Sequence, residues 1–270
     1  DRSPSRGLGD VYKRQALKGN YMKQIMEEKA QNYKNGKINY VTEKVVKDST
    51  ITLTINNEIS RNLSAIEDSL EEFAVGYLFN ENMVKSLEDI EKIEINENHI
   101  NVEIDDKLLK TKETVLCSDS SGGWRSKIKE IKPISSDFQV EADELINRIE
   151  ELKNNAQIWQ ATGGTHVAGI VYKNNFIVKE DVSRHVAVDK VIGYGILHNY
   201  DLSNSYVIYS GRMPADMVIK IVRAGIPVLA SNAAPAYSGC ETAKKGNVAL
   251  VGFLRGQRFN VYNNKNRIIF

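Results

Sequence analysis

Two cysteines in 270 residues, Cys117 and Cys240, are too few for a disulfide framework and cannot build a zinc site alone. Long apolar runs are missing too. No stretch reaches 18 apolar residues, which argues against a membrane-spanning helix. Charge of one sign is also missing: 36 Lys+Arg stand against 35 Asp+Glu, a formal net charge of +1. A chain so balanced lacks the basic field that general nucleic-acid binding requires. Neither phosphate-binding glycine signature, G-x-x-x-x-G-K-[ST] or G-x-G-x-x-G, is present. The H-x-E and P-C-x-x-C set of the zinc deaminases is absent as well. What is there is an ordinary globular balance, 41% hydrophobic and 26% charged, in a length suited to one large domain or two small ones.

The first residues stand apart. D-V-Y-K-R-Q from Asp10 to Gln15 reads as a translated sequencing adapter, and the residues before it as the same read-through. Residues 1–15 are therefore expected to be disordered and to pack against nothing. No positively charged segment followed by an apolar core comes after them, so the expected location is the cytoplasm.

Tyr21 to Asn35 is polar and helix-compatible, with little to bury. Ile38 to Val46 and Thr50 to Ile59 alternate apolar and polar residues, as half-buried strands do. Ser64-Ala-Ile-Glu67 has the pattern of a capping box opening a helix to about Asn80, with Asn80 or Asn82 taking the left-handed conformation that ends it. Ile90 to Ile95 and His99 to Ile104 predict two more strands. These elements make a β-rich subdomain with one helix over 38–112. Residues 113–135 break the pattern. C-S-D-S-S-G-G from Cys117 is small, polar and flexible, and reads either as a linker or as a mobile arm carrying a thiol. An α/β core domain is expected over 137–270, opened by an amphipathic helix from Asp137 to Asn155.

Within that core, T-G-G-T-H from Thr162 precedes a strand from Val167 to Tyr172. Gly163 and Gly164 either admit close approach of a ligand to backbone N–H groups or serve a tight turn. His166 reads as a buried hydrogen-bonded residue or a site residue. A strand from Phe176 to Val178 is expected to turn at Lys179-Glu180 into a helix capped by Asp181 or Ser183. On that helix Asp181, His185 and Asp189 fall at i, i+4, i+8 and share a face, with Arg184 beside them. Tyr206–Tyr209, a helix to Arg223 and Ile226–Ala230 form a strand–helix–strand unit with parallel strands. A short helix, Tyr237 to Lys245, and strands Val248–Leu254 and Phe259–Tyr262 complete the sheet. Polar clusters Glu180-Asp181, Ser210-Gly211-Arg212 and Ser231-Asn232 then fall at carboxyl ends of strands, where open α/β sheets bind ligands. Arg184, Arg212, Lys220, Arg255 and Arg258 make a phosphate-bearing ligand the physical expectation.

T-G-G-T-H, K-E-D-V-S-R-H-V-A-V-D-K from Lys179, S-G-R from Ser210, A-G-I-P-V-L-A from Ala224, A-P at Ala234 and G-F-L-R-G-Q-R-F-N-V-Y from Gly252 together resemble the FdhD/NarQ family. L-E-E-F-A-V-G-Y-L from Leu70 extends the likeness. The resemblance implies a cytidine-deaminase-like three-layer α/β core without zinc or other metal of its own. It implies a sulfurtransferase that passes persulfide sulfur from a cysteine desulfurase to the molybdenum or tungsten cofactor of formate dehydrogenase. The implied ligand is bis-molybdopterin guanine dinucleotide, which GDP mimics. The implied partners are the desulfurase, the formate dehydrogenase catalytic subunit and a second copy of the chain. Residues matching the family's motifs, implied to bind the cofactor, are Gly163, Gly164, His166, Glu180, Asp181, Arg184, His185, Asp189, Lys190, Ser210, Gly211 and Arg212, with Ser231 on the same edge.

One departure bears on mechanism. The family places cysteine directly before a Gly-rich turn, often as C-G-x-C-G. Here Ser120 and Ser121 precede Gly122-Gly123, and the loop's cysteine is Cys117. Cys117 carries the sulfur, or the chain is a non-catalytic cofactor-binding chaperone. A nucleotide-processing hydrolase is a third reading. Cys240, in a short helix, reads as a core thiol. Asn82, where the family tends to have Gly, keeps the same turn chemistry.

Overall fold

The computed structural model describes residues 21–109, 114–116, 124–126 and 131–270. The expectations for residues 1–15 and for Cys117 to Gly123 lie outside these.

The segment expected to be helix-compatible, Tyr21 to Asn35, is instead mostly strand. β1 (Ile25–Lys34) pairs antiparallel with β2 (Lys37–Val46) in a hairpin whose register puts Lys34 opposite Lys37 and Ile25 opposite Val46. The reason is the Asn35-Gly36 dipeptide, with φ of 53° and 78°. A two-residue turn with positive φ at both positions matches the twist of the strands it joins.

Asparagine also overrides the next expectation. A single strand over Thr50–Ile59 is broken at Asn56-Asn57, both in the left-handed region, giving β3 (Ser49–Ile55) and β4 (Ile59–Ala65). Asn56 holds the turn by accepting from Ile104 N (2.8 Å) and donating to Ile104 O (2.7 Å). β4 runs through Ser64, because Leu63 and Ala65 continue the buried alternation. Ser64 therefore caps no helix and bonds Asp48 instead. Helix α1 (Leu70–Asn80) opens after Ser69. With β5 (Ile90–Asn96) and β6 (His99–Ile104), these strands form a sheet of order β4-β3-β6-β5. Phe73, Ala74, Tyr77 and Leu78 of α1 pack on Ile51, Leu53, Ile55 and Ile100 of that sheet.

A short pair, β7 (Thr114–Leu116) and β8 (Trp124–Ser126), precedes the core. β9 (Val140–Glu141) delays the helix expected from Asp137, because its residues pair with the chain end. α2 (Ala142–Asn155) then buries Leu145, Ile149 and Leu152 as the periodicity predicts. There follow α3 (Gln157–Thr162), β10 (His166–Tyr172), β11 (Asn175–Asp181), α4 (Arg184–Leu197), β12 (Ser205–Tyr209) and α5 (Ala215–Arg223). β13 (Val228–Ser231), α6 (Tyr237–Gly246), β14 (Ala249–Arg255), β15 (Arg258–Val261) and β16 (Ile268–Ile269), the partner of β9, complete the chain.

The six-stranded core sheet has order β11-β10-β12-β13-β14-β15. β12, β13 and β14 are mutually parallel through the crossover helices α5 and α6, while β10 and β15 run the other way. One face buries Val188, Ile192, Met217 and Ile221 of α4 and α5; the other buries Leu145, Ile149 and Leu152 of α2. The fold is mixed α/β, with a three-layer core.

The two sheets are joined through helices rather than strands. α1 crosses α4 at Gly76 and Gly193, so closely that a Cβ on Gly193 would overlap the Glu72 carbonyl oxygen and one on Gly76 that of Asp189. Among the described residues no helix is long and apolar enough to cross a membrane.

Candidate functional site

β11, β12 and β13 end on the same edge of the core sheet, and β10 begins there. The register pairs His166 with Asp181, Ala168 with Tyr209, and Tyr209 with Ser231. Residues 163–166, Glu180-Asp181, Ser210–Arg212 and Ser231-Asn232 therefore meet along one line, as the strand ends predict.

The local geometry of the second cluster differs from expectation. Pairing with β10 carries β11 through Lys179 and Glu180 to Asp181, and α4 starts only at Arg184. Asp181 is not on the helix with His185 and Asp189. It still organises the helix start, accepting from Ser183 N at 2.9 Å, whereas the Ser183 side chain makes no cap bond.

Asp181, His185, Asp189 and Lys190 are buried and face inward. Asp181 pairs with Lys190 Nζ (2.7 Å) and accepts from Ile66 N (3.1 Å), while Lys190 also donates to Ile66 O (3.2 Å). Burial pushes the Asp181 carboxyl upward, with Lys190 the main opposing influence. Asp189 takes both carboxylate oxygens to Lys220 Nζ (2.6 and 2.8 Å) and accepts from Asn80 Nδ2 at 2.6 Å. Arg223 closes that set by donating to Asn80 O (2.6 Å). His185 Nε2 lies 3.5 Å from Asp216 Oδ2. These four residues tie the end of β4 and helix α1 to α4 and α5. Lys220 is thus not part of an open phosphate-binding surface.

The other motif residues reach the open edge. Glu180 accepts from Ile158 N (2.9 Å), Trp159 N (2.7 Å) and Thr165 Oγ1 (2.9 Å). One carboxylate thereby satisfies the start of α3 and fixes the turn through Gly163 and Gly164. Burial raises its pKa, against these lowering bonds. Gly163 ends α3 at φ 67°, which favours glycine, and both glycines are exposed. His166 is half-buried, and burial, then the Arg184 guanidinium, hold its imidazole below its usual range. Its Nδ1 lies 3.5 Å from Ser210 Oγ, which accepts from Val167 N (3.0 Å). The Arg184 stem lies along Gly211, where an added Cβ would come within 3.2 Å of Arg184 Cδ. Arg212 is exposed, and its carbonyl accepts from the Tyr209 hydroxyl. Ser231 is buried and donates to Gly211 O (2.7 Å), so it shapes the Ser210–Arg212 loop from beneath.

A cavity of about 240 Å³ opens on this edge. Ile149, Leu152, Ala156 and Val167 give it an apolar floor; Lys153, Trp159, Thr165, His166, Ser210 and Asn232 give it a rim. Sequence reasoning missed Trp159, Lys153 and Thr165. Trp159 had a readable signal, an aromatic four residues before Gly163. Lys153 had none, since a lysine on an amphipathic helix is ordinarily solvent-facing. Cys117 lies outside the described residues. Cys240 sits in α6 against the core, its thiol pushed up by burial and then by Glu241.

The fold and edge define a mixed α/β protein that presents a small polar-rimmed cavity and two guanidinium groups at its strand ends. The chain belongs to the FdhD/NarQ family, whose model matches residues 46–269. It is 47% identical to the Sulfur carrier protein FdhD of Methanothermobacter thermautotrophicus, over 85% of this chain and 93% of that protein. It is 34% identical to Protein FdhD of Methanocaldococcus jannaschii, over 81% of this chain and 87% of the relative. Its fold is similar to the crystal structure of a Desulfotalea psychrophila protein described as a candidate formate dehydrogenase accessory protein. The TM-score is 0.78 and the identity 28%, covering 91% of this chain and all of that one.

Proposed function

We propose that this chain is a sulfur carrier that loads the molybdenum or tungsten cofactor of a formate dehydrogenase. The observation that carries the reading is the near-full-length likeness to the Sulfur carrier protein FdhD of M. thermautotrophicus. In this reading the Cys117 thiolate attacks the terminal sulfur of a desulfurase persulfide, and the desulfurase cysteine leaves as its thiolate. Cys240 is a poor candidate for that step, since burial disfavours the thiolate that reacts.

The guanine dinucleotide form of the cofactor is the cargo, and the residues on the edge suit it. Trp159 offers a flat face for a purine ring. Arg212 and Arg184 offer guanidinium groups for phosphate. The exposed turn Gly163-Gly164 lets backbone approach the ligand. His166, held neutral, and Ser210 supply hydrogen bonds that add no positive charge. Asp181, His185, Asp189, Lys190 and Ser231 act from beneath, by fixing the elements that carry the edge. Transfer takes place in the cytoplasm, between a cysteine desulfurase and the formate dehydrogenase catalytic subunit.

The serines at 120 and 121 favour one other reading, a cofactor chaperone without a sulfur-carrying thiol. Incubation with a desulfurase and free cysteine, followed by peptide mass spectrometry, separates the two. A persulfide on Cys117, lost in Cys117→Ala and kept in Cys240→Ala, supports the carrier. A persulfide confined to Cys240 overturns the Cys117 assignment, and none at all supports the chaperone.

A further inference from the structure

The described residues with positive φ, glycines aside, sit in turns or at the ends of elements, with one exception. Phe253, at φ 54°, lies inside β14. That region is costly for a bulky side chain, and its occupation needs a reason. The ring does not supply one. Phe253 is only half-buried, and the group over its face is the Arg255 guanidinium, 5.6 Å from the ring centroid.

The backbone does. Parallel pairing of β14 with β13 ends at Ala230 and Val251. Beyond it, the ladder with β15 shifts register between Gly252 and Arg255. The kink there turns the Phe253 N–H to the Ala233 carbonyl, 3.0 Å away in the turn that follows β13. Gly252 lies so close to the same turn that an added Cβ would come within 3.0 Å of Pro235 Cδ and 3.3 Å of Ala233 O. The turn passes this constraint on. Pro235 bridges to Met213, with Met213 N donating to Ala234 O and Ala236 N to Met213 O, each at 3.1 Å. Ala233 N donates to Ser231 Oγ (3.0 Å), which itself donates to Gly211 O (2.7 Å). Asn232 on the cavity rim and Arg212 on the open edge are thus each flanked on both sides by members of this network.

We propose that Phe253 is a positioning residue: its left-handed backbone locks the Asn232–Pro235 turn and, through Met213, the Ser210–Arg212 loop. Asn232 and Arg212 then stand in place before a ligand arrives. The inference rests on the nucleotide-binding reading of that edge for its binding test alone. The competing account is that the kink serves only the core, since it brings Leu254 into the same buried cluster as Val251 rather than to the opposite face.

The test ranks substitutions by their tolerance of the left-handed region, read on the full chain by native-state amide exchange and by GDP titration. Phe253→Gly and Phe253→Asn accept that region. Both are expected to keep exchange at Met213, Ala233 and Ala236, and GDP affinity, within about twofold of wild type. Phe253→Val is stiff and resists it. It should speed exchange at those amides about tenfold and weaken GDP binding about tenfold, as the competent population falls. Leu254→Ala is the control for the core account: it should lower the urea midpoint and leave those amides and GDP binding unchanged. If circular dichroism shows Phe253→Val unfolded, Phe253→Ala takes its place against Phe253→Gly. Both lack the ring, and faster exchange is expected only in the alanine variant. Equal exchange in the two members of either comparison, or a Leu254→Ala variant that loosens the turn as Phe253→Val does, would overturn the proposal. A wild type that binds no GDP counts against the nucleotide reading of the edge, and the exchange comparison still decides the role of Phe253.

Discussion

Twelve residues, Lys179 to Lys190, hold charges of the same kinds with opposite fates. Asp181, Asp189 and Lys190 are fully buried in ion pairs with Lys190, Lys220 and Asp181 respectively. Glu180 and Arg184, one and three residues from Asp181, are only half-buried: Glu180 accepts from Thr165 and the Arg184 stem lies along Gly211. Residue type does not separate the two groups; direction does. β11 points successive side chains to opposite sides, so neighbouring acids part company at Glu180 and Asp181. The inward group holds two sheets together and the outward group shapes a cavity.

The largest expected effect falls on the inward group. Lys220→Ala leaves the Asp189 carboxylate buried without its cation and should destabilise the fold by about 3–5 kcal/mol in urea titrations. Asp189→Leu/Lys220→Met should recover most of that loss, because the uncompensated charge is gone. Equal losses in the single and double variants would break the distinction between the buried and the edge groups. Gly193→Ala, on the same seam, forces α4 away from α1 at the Glu72 carbonyl and should cost about 1–3 kcal/mol.

The residues of the open edge around Arg212 and His166 should behave in the opposite manner. Arg212→Ala is expected to leave the urea midpoint unmoved while weakening GDP binding by about 1.5–3 kcal/mol, the loss of a charge-assisted hydrogen bond. Calorimetric titration of wild type and variant checks both halves. The smallest effect concerns protons. His166 binds its proton less readily folded than unfolded, so its contribution to stability rises with pH through the window just below 6.5 and is lost on acidification. An NMR titration should find its midpoint below 6.5. Arg184→Met should move that midpoint upward only part of the way, because burial is the larger cause and persists.

The edge was legible because strand ends and turns have local signatures: Gly163-Gly164, Ser210-Gly211 and Ser231-Asn232 each follow or precede an apolar run. The inward group was not. A period of four residues fits Asp181, His185 and Asp189, but the antiparallel partner that keeps Asp181 in a strand is set by pairing with His166, which periodicity cannot report. The partners Lys220 and Asn80 lie 31 and 109 residues from Asp189, beyond any window of sequence. The first strand of the hairpin was missed for a different reason. Ile38 to Val46 was expected as a strand and Asn35-Gly36 was readable as a turn, but Ile25 to Lys34 lacks the alternation that marks a strand with one buried face.

The seam also has a temporal side. The amide of Ile66 finds its acceptor 115 residues later in Asp181, and Asn80 finds Asp189 109 residues later. At about 5–20 residues per second, a ribosome needs on the order of ten seconds to make the interval. Through that time the first sheet has a helix whose small-residue face, at Gly76, has nothing to lie against. The nascent amino-terminal half thus completes its packing only once α4 has been made.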